Sequence, residues 1–280
     1  GRKQRQRKCL INQKPPYQEE TMAPKNILLE ETDSVVTITF NRPDALNALT
    51  PELLDETAEA LRSISTRNDI GVVVLTGAGR SFSAGVDLKA LTEKGLDLSE
   101  GNVGDDLNRA AREVQTLLED MPQATIAKVN GFCFTGGVEL MLACDIVIAA
   151  EEAKFGDTHA KLGLRPTWGM TQRLPKRVGM MRARELSFTA RTFSGTEAAR
   201  MGLVLEAVPL VELNGFVDQL SAGICENSKG SIAAYKDLYK ASENNGFSAG
   251  LEYEKTTEYS VADVRERMSG FLASLGGKKN

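Results

Sequence analysis

The sequence predicts an α/β fold, and three observations predict it. Apolar runs of strand length alternate with amphipathic stretches from Val35 to Val208, two of those runs lead into glycine-rich turns, and beyond residues 202–208 only helical patterning continues.

The elements follow in order. Val35–Phe40 (VVTITF) is a strand, closed by Asn41, Arg42 and Pro43. Thr50 is set as the N-cap of a helix with Pro51 at its first position, and Leu53, Leu54, Ala58, Leu61 and Ile64 recur at helical spacing to about Ser65. Residues 71–76 (GVVVLT) are apolar on both faces, as in a parallel strand covered on two sides, and a glycine-rich loop follows at residues 77–87. Asp105–Asp120 has the period of an amphipathic helix. Next come a buried strand at Ala124–Val129, a helix-forming stretch at residues 138–143, a strand at residues 146–149 and an extended piece near Lys154–Gly156. From Val211 to Leu275 the chain reads as helices divided by Asn/Gly breaks at residues 227–230 and 244–246.

With 280 residues, 41% hydrophobic and 26% charged, the composition is that of a globular protein. The longest apolar stretch, residues 140–150, is broken by Asp145 and too short to span a bilayer, and no secretory apolar segment follows the N-terminal charges. Cys9, Cys133, Cys144 and Cys225 form no CxxC pair, which fits free thiols in a reducing, cytoplasmic compartment. His159 is the one histidine, so a metal site built on two or three imidazoles is excluded within the chain. Residues 1–8 (GRKQRQRK) carry five of the basic side chains, which leaves the rest of the chain at a formal −9, with 29 basic against 38 acidic groups. Such a body is a poor nucleic-acid surface; only the basic extension offers contact to RNA or an anionic membrane. Met22 reads as a natural start, making residues 1–21 a disordered expression remnant or a targeting extension, mitochondrial if it is native.

Chemistry concentrates in NGFCFTGGVELMLACD, residues 130–145, where Glu139 stands two residues after Gly136 and Gly137 in an apolar setting. The glycines fall at a strand-to-helix turn, whose first N–H groups lack internal partners and carry the positive end of the helix dipole, so a developing oxyanion fits there. Alone, Glu139 reads equally as a carboxylate complementing that dipole. Residues 81–89 (SFSAGVDLK) form a second small-residue turn after a buried strand, able to supply another donor or simply to connect strand and helix.

Taken in order, five segments resemble the crotonase family, the enoyl-CoA hydratase/isomerase group. They are VTITFNRPDALNALT (36–50), GVVVLTGAGRSFSAGVDLKAL (71–91), ATIAKVNGFCFTGGVELMLACDIVIAAEEAKFG (124–156), LGLRPTWGMTQRLPKRVG (162–179) and ARTFSGTEAARMGLVLEAVP (190–209). The resemblance implies a crotonase-like spiral of β-β-α units over residues 22–210 and a helical subdomain over 211–280, assembled as a homotrimer or a dimer of trimers. It implies an acyl-CoA substrate and no cofactor beyond the coenzyme A of that thioester. Carried over by position, the oxyanion donors are the N–H groups of Val86 and Gly136, with Glu139 as the first catalytic carboxylate. Ala84, Asp87, Leu88, Lys89 and Gly137 fall where the family contacts substrate.

Two departures stand out. Where hydratases carry a second glutamate after FGxP, this chain has Phe155-Gly156-Asp157-Thr158-His159, placing an imidazole at that position. A hydratase moves one proton from water and another to carbon, and a histidine can donate or accept near neutrality. If residues 157–159 are extended, Asp157 and His159 point to one side and the carboxylate orients the ring; the other reading is a packed, hydrogen-bonded histidine. The second departure is PTWGM at residues 166–170, where Trp168 and Met170 either narrow the acyl pocket, stack on a substrate ring or fill core. Lys229 and Lys236 either reach the CoA phosphates or line a solvated helix face. The favoured activity is hydration of a 2-enoyl-CoA. The alternatives are double-bond isomerisation by a single base, or a non-catalytic thioester- or RNA-binding protein.

Overall fold

Strand-forming runs covered on both faces require a layer on each side, and the chain supplies it by winding. The computed structural model describes residues 26–98 and 101–276; the basic extension, Cys9 and Met22 lie outside them. β1 (Ile27–Thr32) and β2 (Val35–Phe40) form an antiparallel hairpin. α1 (Pro51–Ser65) starts at Thr50, whose Oγ1 accepts from Leu53 N at 3.3 Å, and buries Leu53, Leu54, Ala58, Leu61 and Ile64. β3 (Val72–Gly77), buried at every position, leads into β4 (Ser81–Ser83) and α2 (Leu88–Glu93). α3 (Asp105–Asp120) precedes β5 (Ala124–Val129), β6 (Phe132–Phe134) and α4 (Gly136–Met141). β7 (Ile146–Ala150) and β8 (Lys154–Gly156) follow, then α5 (Met170–Val178), α6 (Met180–Thr189), β9 (Phe193–Ser194), α7 (Gly195–Arg200) and β10 (Glu206–Val208).

The large sheet has the order β1-β2-β3-β5-β7-β10, parallel except for β1, and the small sheet has the order β4-β6-β8-β9, parallel except for β9. Successive turns therefore place one strand in each sheet, as in β3-β4 and β5-β6, before the next helix. This is the β-β-α spiral. The small sheet sets the site: β6 pairs with β8, Phe134 opposite Gly156, and Thr135 N–H donates to Gly156 O at 2.9 Å. The chain emerging from β6 thus runs beside the chain emerging from β8.

Strands of two or three residues, β4, β6 and β9, carry too little periodicity to be read from sequence. α4 also begins at Gly136, two residues before the helix-forming stretch. Glycine is a weak helix former, but here close approach decides: a Cβ on Gly137 would stand 2.6 Å from Ser83 O.

The C-terminal helices are α8 (Leu210–Cys225), α9 (Lys229–Asn244), α10 (Phe247–Thr256) and α11 (Val264–Gly276). α8 buries Leu213 and Val217 with the core. α9 is tied down by its lysines. Lys236 Nζ meets Asp145 Oδ2 at 2.7 Å and donates to the carbonyls of Leu118 and Gln123, while Lys229 donates to the Asn68 and Asp69 carbonyls. Both side chains serve docking rather than a solvated face. Burial pushes the Cys144 thiol up to about 12 and raises Cys133 as well, so both act as packing groups. Among the described residues no helix is long and apolar enough to cross a membrane.

Candidate active site

Glu139 lies one turn into α4, buried at 2% exposure, with its N–H bonded to Thr135 O at 3.0 Å. Its Oε1 accepts from the backbone N–H groups of Trp168 and Met170, each at 3.2 Å. Oε2 faces His159 Nε2 across 3.7 Å. Burial pushes this carboxyl up to about 7, opposed by the charge of His159 and the two backbone donors and assisted by Asp157. A group held there changes protonation near neutral pH, as proton transfer requires.

His159 arrives by a route the extended-strand argument did not anticipate. Its φ of −53° and ψ of −53° are helical, and a 3-10 turn follows at Ala160–Leu162. Asp157 instead folds back: its Oδ1 accepts from His159 N at 3.3 Å and lies 2.7 Å from Nδ1, a side-chain-closed turn that brings carboxylate and ring together. Ser187 Oγ, on α6, donates to Asp157 Oδ2 at 2.7 Å. Burial raises the Asp157 carboxyl, but the bonds from His159 and Ser187 outweigh it and hold the group below its ordinary value. An ionised Asp157 only accepts, so it fixes the proton on Nδ1 and leaves Nε2 of the neutral ring as an acceptor turned toward Glu139.

The two small-residue turns meet beside this pair. Leu49 N–H donates to Gly85 O at 2.7 Å and Asp87 N–H to Leu49 O at 3.0 Å; Val86, between them, bonds to Leu88 through its carbonyl and directs its own N–H away from that bridge. Gly136 opens α4, where its N–H has no helical acceptor. Gly85 has a φ of +92°, and a Cβ there would stand 3.0 Å from Phe134 O, so glycine is what lets this turn pack against the chain that leads into Gly136.

A cavity of about 410 Å³ runs past these groups, lined by Ala84, Val86 and Leu88 from one turn and by Gly136, Glu139 and His159. Three carried-over positions are off its wall. Asp87 caps α2 through Ala90 N at 2.9 Å and pairs with Arg42 at 2.9 Å; Lys89 points to solvent with its side chain 86% exposed; Gly137 is packed on Ser83. Trp168 is core and site at once: its ring covers Gly136, while its backbone holds Glu139. A wider cleft of about 1220 Å³ between α5 and α9 has its cations committed, Arg173 to Glu119, Lys176 to Glu243 and Lys240 to Asp120.

Several supporting residues escaped the sequence reading. Gln115, buried on α3, donates to the carbonyls of Glu139 (3.0 Å) and Trp168 (2.7 Å); a lone amide on an otherwise apolar helix face was the available signal. Thr135, directly before Gly136, has a φ of 47° and ψ of −106°, and its hydroxyl meets that of Thr158. Ser187 carried no local signal, because its role depends on α6 folding back over residue 157.

The Enoyl-CoA hydratase/isomerase family model matches residues 30–276. A protein of Arabidopsis thaliana named "Probable enoyl-CoA hydratase 1, peroxisomal" is 32% identical over 255 residues, covering 89% of this chain and 93% of that protein. The peroxisomal Delta(3,5)-Delta(2,4)-dienoyl-CoA isomerase of the same organism is 35% identical over 239 residues, covering 82% of this chain and 86% of its own. The crystal structure of enoyl-CoA hydratase from Bacillus anthracis superposes with a TM-score of 0.75 at 36% identity, over 82% of this chain and 88% of that one. Likeness of this extent in both sequence and fold places the chain in the enoyl-CoA hydratase/isomerase, or crotonase, family of enzymes.

Proposed function

We propose that the chain adds water reversibly across the double bond of a 2-enoyl-CoA thioester, with Glu139 and His159 as the pair that moves protons. The observation that carries this reading is the facing of Glu139 Oε2 and His159 Nε2 at 3.7 Å, with Nδ1 already tied to Asp157. That gap is too long for a direct hydrogen bond, so both atoms are free to address a third group between them.

In the proposed cycle the thioester oxygen accepts from Val86 and Gly136 N–H; loss of one such donor typically costs about 3 kcal/mol in the transition state. Water attacks the β-carbon and gives its proton to His159 Nε2, and Asp157 stabilises the imidazolium. The electron pair moves to the thioester oxygen as an enolate, which then takes the proton of neutral Glu139 at the α-carbon. Return of the proton from His159 to Glu139 resets the pair. Water is added and nothing is oxidised or reduced, so coenzyme A, as part of the substrate, is the one carrier group this scheme uses.

A second reading is supported by the raised carboxyl of Glu139, which by itself can shuttle a proton between two carbons of an enoyl thioester and so isomerise it. Incubation with 2-enoyl-, 3-enoyl- and 3-hydroxyacyl-CoA thioesters, with products resolved by mass and double-bond position, tests both. Absence of turnover across the panel defeats the enzyme reading. Full activity in Glu139→Gln defeats the site assignment. Isomerisation surviving His159→Ala while hydration is lost supports the single-base route for the former alone.

A homotrimer or paired trimer is proposed for the assembly, supported by apolar residues left outside the core on α10 and α11: Phe247, Leu251, Phe271, Leu272 and Leu275 are all exposed. Light scattering after size exclusion reads the mass, and a monomer at working concentration would exclude it. A cytoplasmic location is proposed on the unpaired state of Cys133, Cys144 and Cys225; imaging the chain with and without residues 1–21 tests it against a mitochondrial address.

A further inference from the structure

The acyl end of the cavity has a chemistry that neither the oxyanion turns nor the proton-moving pair accounts for. With the thioester oxygen at Val86 and Gly136, the reacting carbons lie beside Glu139 and His159. The acyl tail then continues away from Ala84 and Leu88, along a wall made by one face of α3 and residues 162–168. Donors dominate that wall. Asn108 Oδ1 accepts from Trp168 Nε1 at 2.7 Å and from Thr167 Oγ1 at 3.1 Å; an indole N–H only donates, which fixes the amide orientation and leaves the Asn108 NH₂ uncommitted. One turn further along α3, Arg112 lines the same cavity, and Arg165 lines it from the loop that carries Trp168.

Neither guanidinium has a carboxylate partner or another hydrogen bond among the described residues, and both are exposed at the cavity rim. Nearby arginines behave differently: Arg109, on the same helix, is held by Asp55 and Glu113, and Arg173 by Glu119. Asp105 is the acid on this wall, and it sits in the first turn of α3, where the helix dipole offsets its charge. Positive charge therefore prevails. Val103, Leu162 and Leu164 complete the wall with apolar surface suited to a methylene spacer.

We propose that the acyl group taken by this site ends in a carboxylate, so that the substrate is an ω-carboxy-2-enoyl thioester whose far end is received by Arg112 and Arg165. This rests on the enoyl-thioester reading given above. A forked guanidinium meets a carboxylate through two parallel hydrogen bonds, whereas a methyl-terminated chain leaves both cations and the Asn108 amide without a partner. Single exposed ion pairs contribute little, so the effect belongs to the two arginines acting together. The phosphates of coenzyme A are the rival source of anionic oxygen, and they are present on every thioester whatever its acyl tail.

Saturated thioesters separate these sources because they bind without reacting. The experiment measures calorimetric Kd for butanoyl- through octanoyl-CoA, each against its ω-carboxy counterpart, at low and high ionic strength. It uses the full chain, the Arg112→Gln/Arg165→Gln double variant and the Arg112→Lys/Arg165→Lys double variant. The wild type is expected to bind one carboxy-terminated length about tenfold more tightly than its methyl-terminated match, a preference that salt weakens. The Gln double variant loses that preference and the Lys variant keeps part of it. Equal Kd values at every length overturn the proposal, as does a parallel weakening of both series in the Gln variant, which would assign the arginines to the CoA phosphates. Failure of hydration with a retained carboxylate preference sinks the reaction and leaves the ligand class standing.

Discussion

Nδ1 of His159 lies 2.7 Å from Oδ1 of Asp157, so the tautomer of the one histidine is decided before substrate arrives. The same oxygen also accepts from His159 N–H, and Ser187 holds the other carboxylate oxygen. In Asp157→Asn an amide NH₂ competes for the position facing Nδ1 and favours the tautomer with the proton on Nε2, where it blocks acceptance from water. A fall in kcat on the order of 10²–10⁴-fold is expected, with a much smaller change in KM, since the ring orients protons rather than binding the thioester. Ser187→Ala, which loosens the carboxylate without removing it, should lose about tenfold or less. Steady-state kinetics on a 2-enoyl-CoA reads both; an unchanged kcat in Asp157→Asn would assign the pair to packing.

The Glu139 carboxyl, raised from 4.5 to about 7 by burial, makes stability depend on pH in a known direction. Between those values the folded state binds more protons than the unfolded one, so unfolding free energy falls as pH rises through the interval and levels off above it. At about 1.4 kcal/mol per unit, the whole interval amounts to roughly 3 kcal/mol. Glu139→Gln is neutral at every pH and escapes this loss. Its Tm relative to wild type should therefore be higher at pH 8 than at pH 5, by several degrees; an equal difference at the two pH values would show that Glu139 ionises as freely as an exposed carboxyl.

How much of this was legible follows from how local each feature is. Val35–Phe40, α1 and α3 announce themselves because propensity and apolar period agree within the segment itself, joined in α1 by the Thr50 cap. Glu139, Gly136 and His159 were legible because glycine turns and a lone histidine stand out from their surroundings. The approach of Asp157 to His159 was expected on condition of an extended backbone; the pairing forms through a side-chain-closed turn instead, which spacing does not distinguish from a strand. Gln115, Asn108 and Ser187 act on the site from other elements, so their roles exist only once the spiral has closed.

Gly136 gives a sharp test of close approach. A Cβ there would stand 2.7 Å from Cζ3 of Trp168 and 3.2 Å from Cδ1 of Leu49. The indole cannot swing aside freely, because Asn108 holds its Nε1 and Gln115 and Arg173 hold its carbonyl. Gly136→Ala should lose about 1–3 kcal/mol of stability through overpacking and displace the backbone donor from the thioester oxygen, lowering kcat by on the order of 10²-fold. Pairing it with Trp168→Phe, a smaller ring without the Asn108 bond, should recover stability before activity. Chemical denaturation and kinetics on the three variants follow this order, and an additive loss of stability in the double variant would show that the two residues do not collide.

Thr135 is held in a backbone conformation that side-chain-bearing residues rarely adopt, φ 47° and ψ −106°, outside the left-handed helical region. Such a conformation costs about 1–3 kcal/mol and persists because three partners fix it. Its N–H donates to Gly156 O, its carbonyl accepts from Glu139 N, and its Oγ1 meets Thr158 Oγ1 and accepts from Thr158 N at 3.3 Å. The residue thereby ties the turn before Gly136 to the segment that delivers His159. Thr135→Ala keeps the strain and loses the hydroxyl; Thr135→Gly loses the hydroxyl and relieves the strain. The glycine variant should therefore be the more stable of the two by about 1 kcal/mol, reversing the usual advantage of alanine, which limits the unfolded chain more. Both should lower kcat by about ten- to a hundredfold, because Thr158 and its neighbour His159 are freed, and Thr135→Ser should restore most of it. Denaturation midpoints and kcat for the three variants decide the matter. An alanine variant at least as stable as the glycine one would remove the strain argument, and a serine variant no better than alanine would remove the hydroxyl tie.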